Sequence, residues 1–282
     1  MASSLYRQIQ QFYDASTPLW EETWGEHMHH GYYGPRGGHR KNRQQAQIDL
    51  IEMLLDWGQV TSARFILDAG CGVGGSARHL AQKYGAQAIG ITLSSIQAQR
   101  ATERTAAAQL SEQVSFQVAN ALETPFPDQQ FDFIWSLESG EHFPNKAKFL
   151  RECYRLLKPG GQLLMATWCH RPTDSLAGPL TPREQAHLEA IYRNYALPFV
   201  ISLPEYAEIA EDCGFTAIRT ADWSAAVAPF WSDVIESSLS PVAIAGLLKA
   251  GWTTIQGAFT LLLMRQGFDM GLIRYGLLSA RK

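Results

Sequence analysis

The stretch Phe65-Ile66-Leu67-Asp68-Ala69-Gly70-Cys71-Gly72-Val73-Gly74-Gly75 constrains this chain most. An apolar run closes on an acid and then on glycines at 70, 72, 74 and 75. Glycine loses the most backbone entropy on ordering and alone visits φ > 0 freely, so this density fits neither a helix interior nor a strand. The stretch reads as a buried strand, a tight turn whose backbone a ligand can touch, and a helix over 76–84. Such a unit opens a parallel α/β sheet, with its ligand at the turn.

Gly70, Gly72 and Gly75 satisfy the dinucleotide pattern G-x-G-x-x-G, which is weak alone. Two features speak against NAD. The charge of Asp68 would repel a pyrophosphate at the helix N-terminus. The next strand ends in Thr92, where the dehydrogenase pattern wants an acid for the ribose. S-adenosylmethionine (SAM) carries no phosphate and presents a cationic sulfonium and amino group, which a carboxylate suits. A turn without a ligand is the bland alternative.

Downstream, strands are expected over 64–68, 87–91, 114–118, 131–136 and 162–168. Helices over 94–110, capped by Ser94 or Ser95, and over 145–157, stopped by Lys158-Pro159-Gly160-Gly161, lie between them. That alternation signals a doubly wound parallel sheet. Its ligands collect beside the first strand, which gathers Asp68, the glycine turn, Thr92, Asn120 and Ser136 into one cleft. Upstream, Leu5, Ile9, Phe12 and Tyr13 recur at helical spacing, and residues 43–57 read as a helix. An insertion over 170–198 holds a helix over 182–195; a helix over 203–213, a strand over 216–223 and a closing strand over 273–280 follow. Leu248, Trp252, Ile255, Phe259 and Leu262 form an apolar stripe opposite Lys249, Thr253, Gln256 and Thr260. This is an amphipathic helix suited to core packing before membrane docking, and too polar to span a bilayer. The whole reads as a single domain over 1–282: a cap over 1–60, a cofactor core over 61–168, and an acceptor-binding part with closing strands over 169–282.

A hydrophobic content of 46% supplies a core, and a net charge of −3 gives no field for nucleic acid. Cys71, Cys153, Cys169 and Cys213 lie far apart, which points to a reducing compartment without zinc or structural disulfides. His27, His29 and His30 have no cysteine nearby, and no metal is expected. There is no apolar signal core, and Asp14, Glu21, Glu22 and Glu26 come early for a transit segment. The expected location is the cytoplasm or membrane periphery of a bacterial-type cell, not the exterior.

The stretch from Asp68 to Gly75 resembles motif I of the class I SAM-dependent methyltransferases, and Lys158-Pro159-Gly160-Gly161 resembles their helix–strand junction. His29-His30-Gly31-Tyr32-Tyr33, Gly90-Ile91-Thr92-Leu93-Ser94 and Trp135-Ser136-Leu137-Glu138-Ser139-Gly140-Glu141-His142 resemble one branch of that family. It holds sterol methyltransferases, cyclopropane fatty acid synthases and, over nearly the whole length, gamma-tocopherol methyltransferases, whose plant members carry a plastid presequence. The resemblance implies a Rossmann-like α/β fold: a doubly wound seven-stranded mixed sheet with an N-terminal helical cap and a C-terminal helical insertion. It implies SAM held by Tyr13 and His29 at its methionyl end, and by Asp68, Gly70, Cys71, Gly72 and Gly74 at the turn. Thr92, Leu93 and Gln97 would serve the ribose, Asn120 and Ala121 the adenine, with Ser136 nearby. On its residues alone Gln97 equally reads as a solvated helix-start residue. Asn120 departs from the family's commoner Asp, though an amide still accepts a hydrogen bond.

Glu138, Glu141 and His142 crowd the loop after strand 4 and form the candidate catalytic group. A carboxylate beside His142 would raise its pKa and orient its ring. The resemblance implies a chromanol acceptor, methylated on the ring carbon ortho to its phenol, with His142 or Glu138 as base. Trp168, Tyr192, Tyr195, Phe199, Phe230 and Trp231 are candidates for an apolar acceptor pocket. Rival readings are methylation of another quinol or phenol, a sterol or an amine, a nicotinamide oxidoreductase, and SAM binding without catalysis.

Overall fold

The computed structural model describes residues 6–7, 9–11, 13–15, 17, 21, 25–174, 176–238 and 252–282. Helix α1 (Arg43–Trp57) precedes the alternation β1 (Phe65–Ala69), α2 (Gly75–Tyr84), β2 (Gln87–Thr92), α3 (Ser95–Ala107), β3 (Val114–Val118) and β4 (Phe131–Leu137). Then come α4 (Lys146–Leu156), β5 (Leu157–His170), α5 (Pro182–Asn194), α6 (Leu203–Asp212) and β6 (Thr216–Asp222). The chain ends with α7 (Ser224–Val227), α8 (Pro229–Ser238), α9 (Trp252–Asp269) and β7 (Ile273–Arg281). The strands form one sheet in the order β3-β2-β1-β4-β5-β7-β6. Only β7 runs antiparallel to its neighbours. The expected seven-stranded mixed sheet is therefore present. The core strands β1 and β4 are near-continuous apolar runs because helices cover both faces.

The chain leaves β1 for β2 on one side and finds β4 on the other, so a crevice opens at the carboxyl ends of β1 and β4. Asp68 lies there, in register with Gly90 and Trp135. The Gly70 and Cys71 N–H groups both donate to the Ile91 carbonyl and fold the turn back over β2. Gly70 has φ +93°, and a Cβ on it would stand 2.2 Å from the Cβ of Ser139. The Ser139 hydroxyl donates to the Ala69 carbonyl at 2.6 Å, locking this turn to the loop after β4.

Several boundaries differ from the sequence reading. Ser94, not Ser95, caps α3, which ends at Ala107. Strand β5 begins at Leu157, inside the stretch expected as helix end and turn. Leu157 pairs with Phe131, and the register then slips so that Gln162 pairs with Phe133. Lys158-Pro159-Gly160-Gly161 is thus a bulge in extended chain. Helices α7 and α8 had no expected counterpart. Leu5, Phe12 and Leu248 lie outside the described residues, as do Lys249 and the side chains of Trp252, Thr253, Ile255, Gln256 and Phe259. Farther along α9 the expected phase fails: Leu262 is 44% exposed, while Leu263 and Met264 are buried. Among the described residues no helix is long and apolar enough to cross a membrane.

Gly70→Ala should destabilise the protein by about 1–3 kcal/mol through backbone strain, beyond the contact with Ser139. Gly72→Ala, with φ +52° but open space around its Cβ, should cost less. Thermal melting of the two variants reads the difference.

Candidate active site

A cleft of about 1370 Å³, counting the solvent in its mouth, lies over the ends of β1, β2 and β4. Its walls collect Tyr13, His29, Asp68, Gly70, Cys71, Gly72, Thr92, Leu93, Gln97, Asn120 and Ala121, all expected at the cofactor. Two expected residues are not on the wall. Ser136 is buried behind it, sharing a 2.7 Å hydrogen bond with Ser139. Gly74 precedes α2 with φ +80°, its Cα turned towards Phe116. Both shape the turn from behind, because short side chains let the loops pack closely.

Asp68 has one carboxylate oxygen on the Ala77 N–H; its Oδ2 is buried without a partner. Burial pushes its pKa up to about 7, against partial relief from that N–H and from Arg78. An unmet buried carboxylate oxygen beside an open glycine turn fits a ligand with a cationic, hydrogen-bonding group. Gln97 is buried on the wall and accepts from the Thr92 hydroxyl at 2.7 Å, so it is not a solvated residue. His29 donates from Nδ1 to the His30 carbonyl at 2.8 Å, and its Nε2 faces His27 Nδ1 at 3.3 Å. Burial holds both imidazoles neutral, lowering His29 and bringing His27 down to about 2. The Gln47 amide donates to the carbonyls of His27 and His29, which bends this segment over the cleft.

The expected pairing of Glu138 with His142 is not what the chain builds. Glu138 has φ +52°, which turns its side chain away from that loop. It accepts from the His30 N–H at 2.8 Å, from His30 Nδ1 at 2.8 Å and from the Tyr275 hydroxyl at 2.9 Å. Burial alone would raise its pKa; His30 and these hydrogen bonds outweigh that and hold it below the usual carboxylate value. His142 Nε2 instead shares a 2.5 Å hydrogen bond with the Tyr13 hydroxyl. Burial, with the Lys146 charge, lowers its pKa to about 3 rather than raising it. Glu141 accepts from Thr167 at 2.8 Å, and burial beside Glu138 pushes it up to about 8. It lines the cleft, and the raised value favours its protonated form near neutral pH.

Beyond Glu138 the wall turns aromatic, with Trp168, Tyr195, Phe230 and Trp231. Tyr192 and Phe199 are not on it: the Tyr192 oxygen accepts from the Val200 N–H, and Phe199 lies under the Lys146 ammonium. The sequence reading assigned His30 a place in a motif but no partner, and Tyr275 neither, yet both hydrogen-bond Glu138. The pair Glu138–Tyr275 spans half the chain, and no local spacing marks it. Among the described residues no group of three or more His, Cys, Asp or Glu side chains is arranged to hold a metal.

Residues 67–165 match the methyltransferase domain family. The chain is 42% identical to tocopherol O-methyltransferase, chloroplastic, of Arabidopsis thaliana, over 99% of this chain and 83% of that one. The chain belongs to the tocopherol methyltransferase family. It is also 36% identical to 2-methyl-6-phytyl-1,4-hydroquinone methyltransferase of Synechocystis sp., over 92% of this chain and 82% of that one. Its fold matches geranyl diphosphate C-methyltransferase of Streptomyces coelicolor A3(2), with TM-score 0.76, 22% identity, and coverage of 98% of this chain and 97% of that one. It is a SAM-dependent methyltransferase, and the residues around Asp68 fit SAM.

A cationic group on Asp68 favours its ionised form. Below pH about 7 binding must displace the carboxyl proton, so SAM affinity should rise with pH up to about 7 and then level. Asp68→Asn should bind SAM more weakly and without that slope. Calorimetry in buffers of different ionisation enthalpy reads both affinity and released proton.

Proposed function

We propose that this methyltransferase acts on a tocopherol or close prenylated phenol, at the ring carbon ortho to the phenol, in vitamin E biosynthesis. The observation that carries the reading is one cleft with the SAM turn at one part of its wall and Trp168, Tyr195, Phe230 and Trp231 at another. The relatives' names support the acceptor class, a tocopherol in one and a phytyl hydroquinone in the other, while the first reads O-methyltransferase and does not speak for the ring carbon. SAM supplies an activated methyl carbon, so the chain's task is to align the acceptor, exclude water and manage protons.

Ring methylation removes a proton from the attacked carbon after transfer. That step restores aromaticity, so a weak base serves. His142 fits it in the tautomer whose Nε2 donates to the Tyr13 oxygen: neutral, on the wall, with the Nδ1 lone pair buried and unpartnered. Exposed Leu176, Leu262 and Met270 support work at a membrane surface, where a prenylated acceptor resides. Flotation with phospholipid vesicles should carry wild type, and less of a Leu262→Asp variant. Equal flotation would refute that location.

Mass spectrometry after incubation with labelled SAM and a panel of tocopherols, prenylated quinols, sterols and amines tests the acceptor. Phenols should gain label on a ring carbon. Label on nitrogen, or on the phenol oxygen, would overturn the reading. Acceptors cut back to the chromanol head should lose affinity, by about 0.8 kcal/mol for each methylene that had been buried. With an acceptor deuterated at the attacked carbon, His142→Gln should develop an isotope effect on kcat.

A further inference from the structure

Three buried polar atoms on the acceptor side have no partner: His30 Nε2, Trp168 Nε1 and Trp231 Nε1. All three residues line the cleft. His30 and Trp231 are 1% exposed and Trp168 is 7% exposed. The rings form one cluster: His30 stands edge to face on Trp231 at 4.9 Å and on Trp168 at 6.0 Å, and the two indoles lie 6.2 Å apart. Leaving such a group unpaired in a buried place is unfavourable, so three together call for a ligand. Their chemistry is specific. Glu138 is an acceptor only, so His30 Nδ1 carries a proton between them, and in the neutral tautomer this leaves the lone pair on Nε2. The indoles are donors only. One proton acceptor with two donors suits a hydroxyl that becomes an oxyanion.

Resting on the phenol reading above, we propose that His30 is the base that ionises the acceptor, and that Trp168 and Trp231 hold the resulting phenolate oxygen. Nε2 takes the phenol proton, and the imidazolium is stabilised by Glu138, itself fixed by Tyr275. The electron pair of the phenolate forms the bond from the ortho carbon to the methyl carbon. The methyl–sulfur bond breaks and sulfur keeps its pair, leaving S-adenosylhomocysteine. The attacked carbon then loses its proton to His142 and on to water, the ring regains aromaticity, and His30 returns its proton to the phenol oxygen. One proton is released in total. Glu138 is a positioning residue in this scheme, because it acts through His30.

The test uses the full chain with SAM and a prenylated phenol that the wild type methylates, alongside head-ring analogues fluorinated to lower the phenol pKa. His30→Gln should lower kcat at neutral pH by about 10²–10⁴-fold. SAM affinity should stay unchanged. Its rate should climb with pH towards the phenol pKa near 10, and fluorinated acceptors should restore it far more than they speed the wild type. Trp231→Phe keeps the ring and removes the donor; it should lower kcat by about 10–10²-fold, more than it raises KM. Glu138→Gln should reproduce the pH and fluorine dependence of His30→Gln in milder form. Loss of kcat in His30→Gln with no rescue by pH or by fluorination would show a structural role and overturn the proposal, as would wild-type kcat in that variant. Should His30→Gln fail to fold, Trp231→Phe and Glu138→Gln decide on the same readouts. A wild type that methylates amines or sterols but no phenol refutes the function proposed above and this inference with it. A wild type that methylates phenols while the variants ignore acceptor pKa refutes this inference alone.

Discussion

A buried carboxylate sets the architecture of the acceptor side. Glu138 is ionised among aromatic rings, and an uncompensated charge there costs several kcal/mol. The compensation comes from far along the chain: the backbone and ring of His30, and the hydroxyl of Tyr275. Each partner has its own reason to be in place. Tyr275 lies in β7, paired with Trp168 across β5. His30 sits in a segment held by the Gln47 amide and by the N–H of Tyr32 on the Ala46 carbonyl. The left-handed backbone at Glu138, strained for a non-glycine residue, is what lets one side chain reach both. Three hydrogen bonds therefore tie the cap, the end of β4 and the closing strand into one wall.

The other carboxylate in the cleft is treated oppositely. Asp68 keeps one oxygen without a partner, and its pKa is raised rather than lowered. Both residues follow apolar strands, and both are buried. The difference lies in what surrounds them. Glu138 spends its charge inside the protein and organises it, whereas Asp68 holds its charge back for something that enters. Glu138 has its hydrogen bonds inside the protein, whereas Asp68 leaves one oxygen open beside the glycine turn.

The sheet was legible because its signals are local. Apolar runs of strand length, glycine stops and side-chain caps such as Ser94 and Ser202 lie within a few residues of what they determine. The gathering of Asp68, the glycine turn, Thr92 and Asn120 into one cleft was legible for a related reason: these residues lie at strand ends, and a strand's end follows from its start. What escaped was long-range or depended on phase. Ser136 lies one residue before the end of β4, yet it faces Ser139 and not the cleft. Glu138 lies four residues from His142, but the positive φ sends it to His30. Leu262 fits the stripe by spacing, while the helix rotates to bury Leu263 and Met264. In each case side-chain direction, set by a single dihedral or a small rotation, decides the role.

A cationic cosubstrate imposes one more condition. Any second positive charge near the sulfonium would weaken binding and oppose approach of the acceptor. The cleft meets this by burial rather than by omitting basic residues. His27, His29 and His142 all have lowered pKa values and stand neutral at physiological pH. Lys146 spends its ammonium on the carbonyls of Gly140, Glu141 and Phe199, and burial brings its pKa down to about 7. Arg78 is paired with Glu26 at 2.6 Å and with the Val73 carbonyl. In the proposed reaction the phenolate then meets the sulfonium with the His30 imidazolium as the one added positive charge, itself paired with Glu138. The burial that keeps His27, His29 and His142 neutral also keeps water out, so it serves binding, proton transfer and methyl transfer at once.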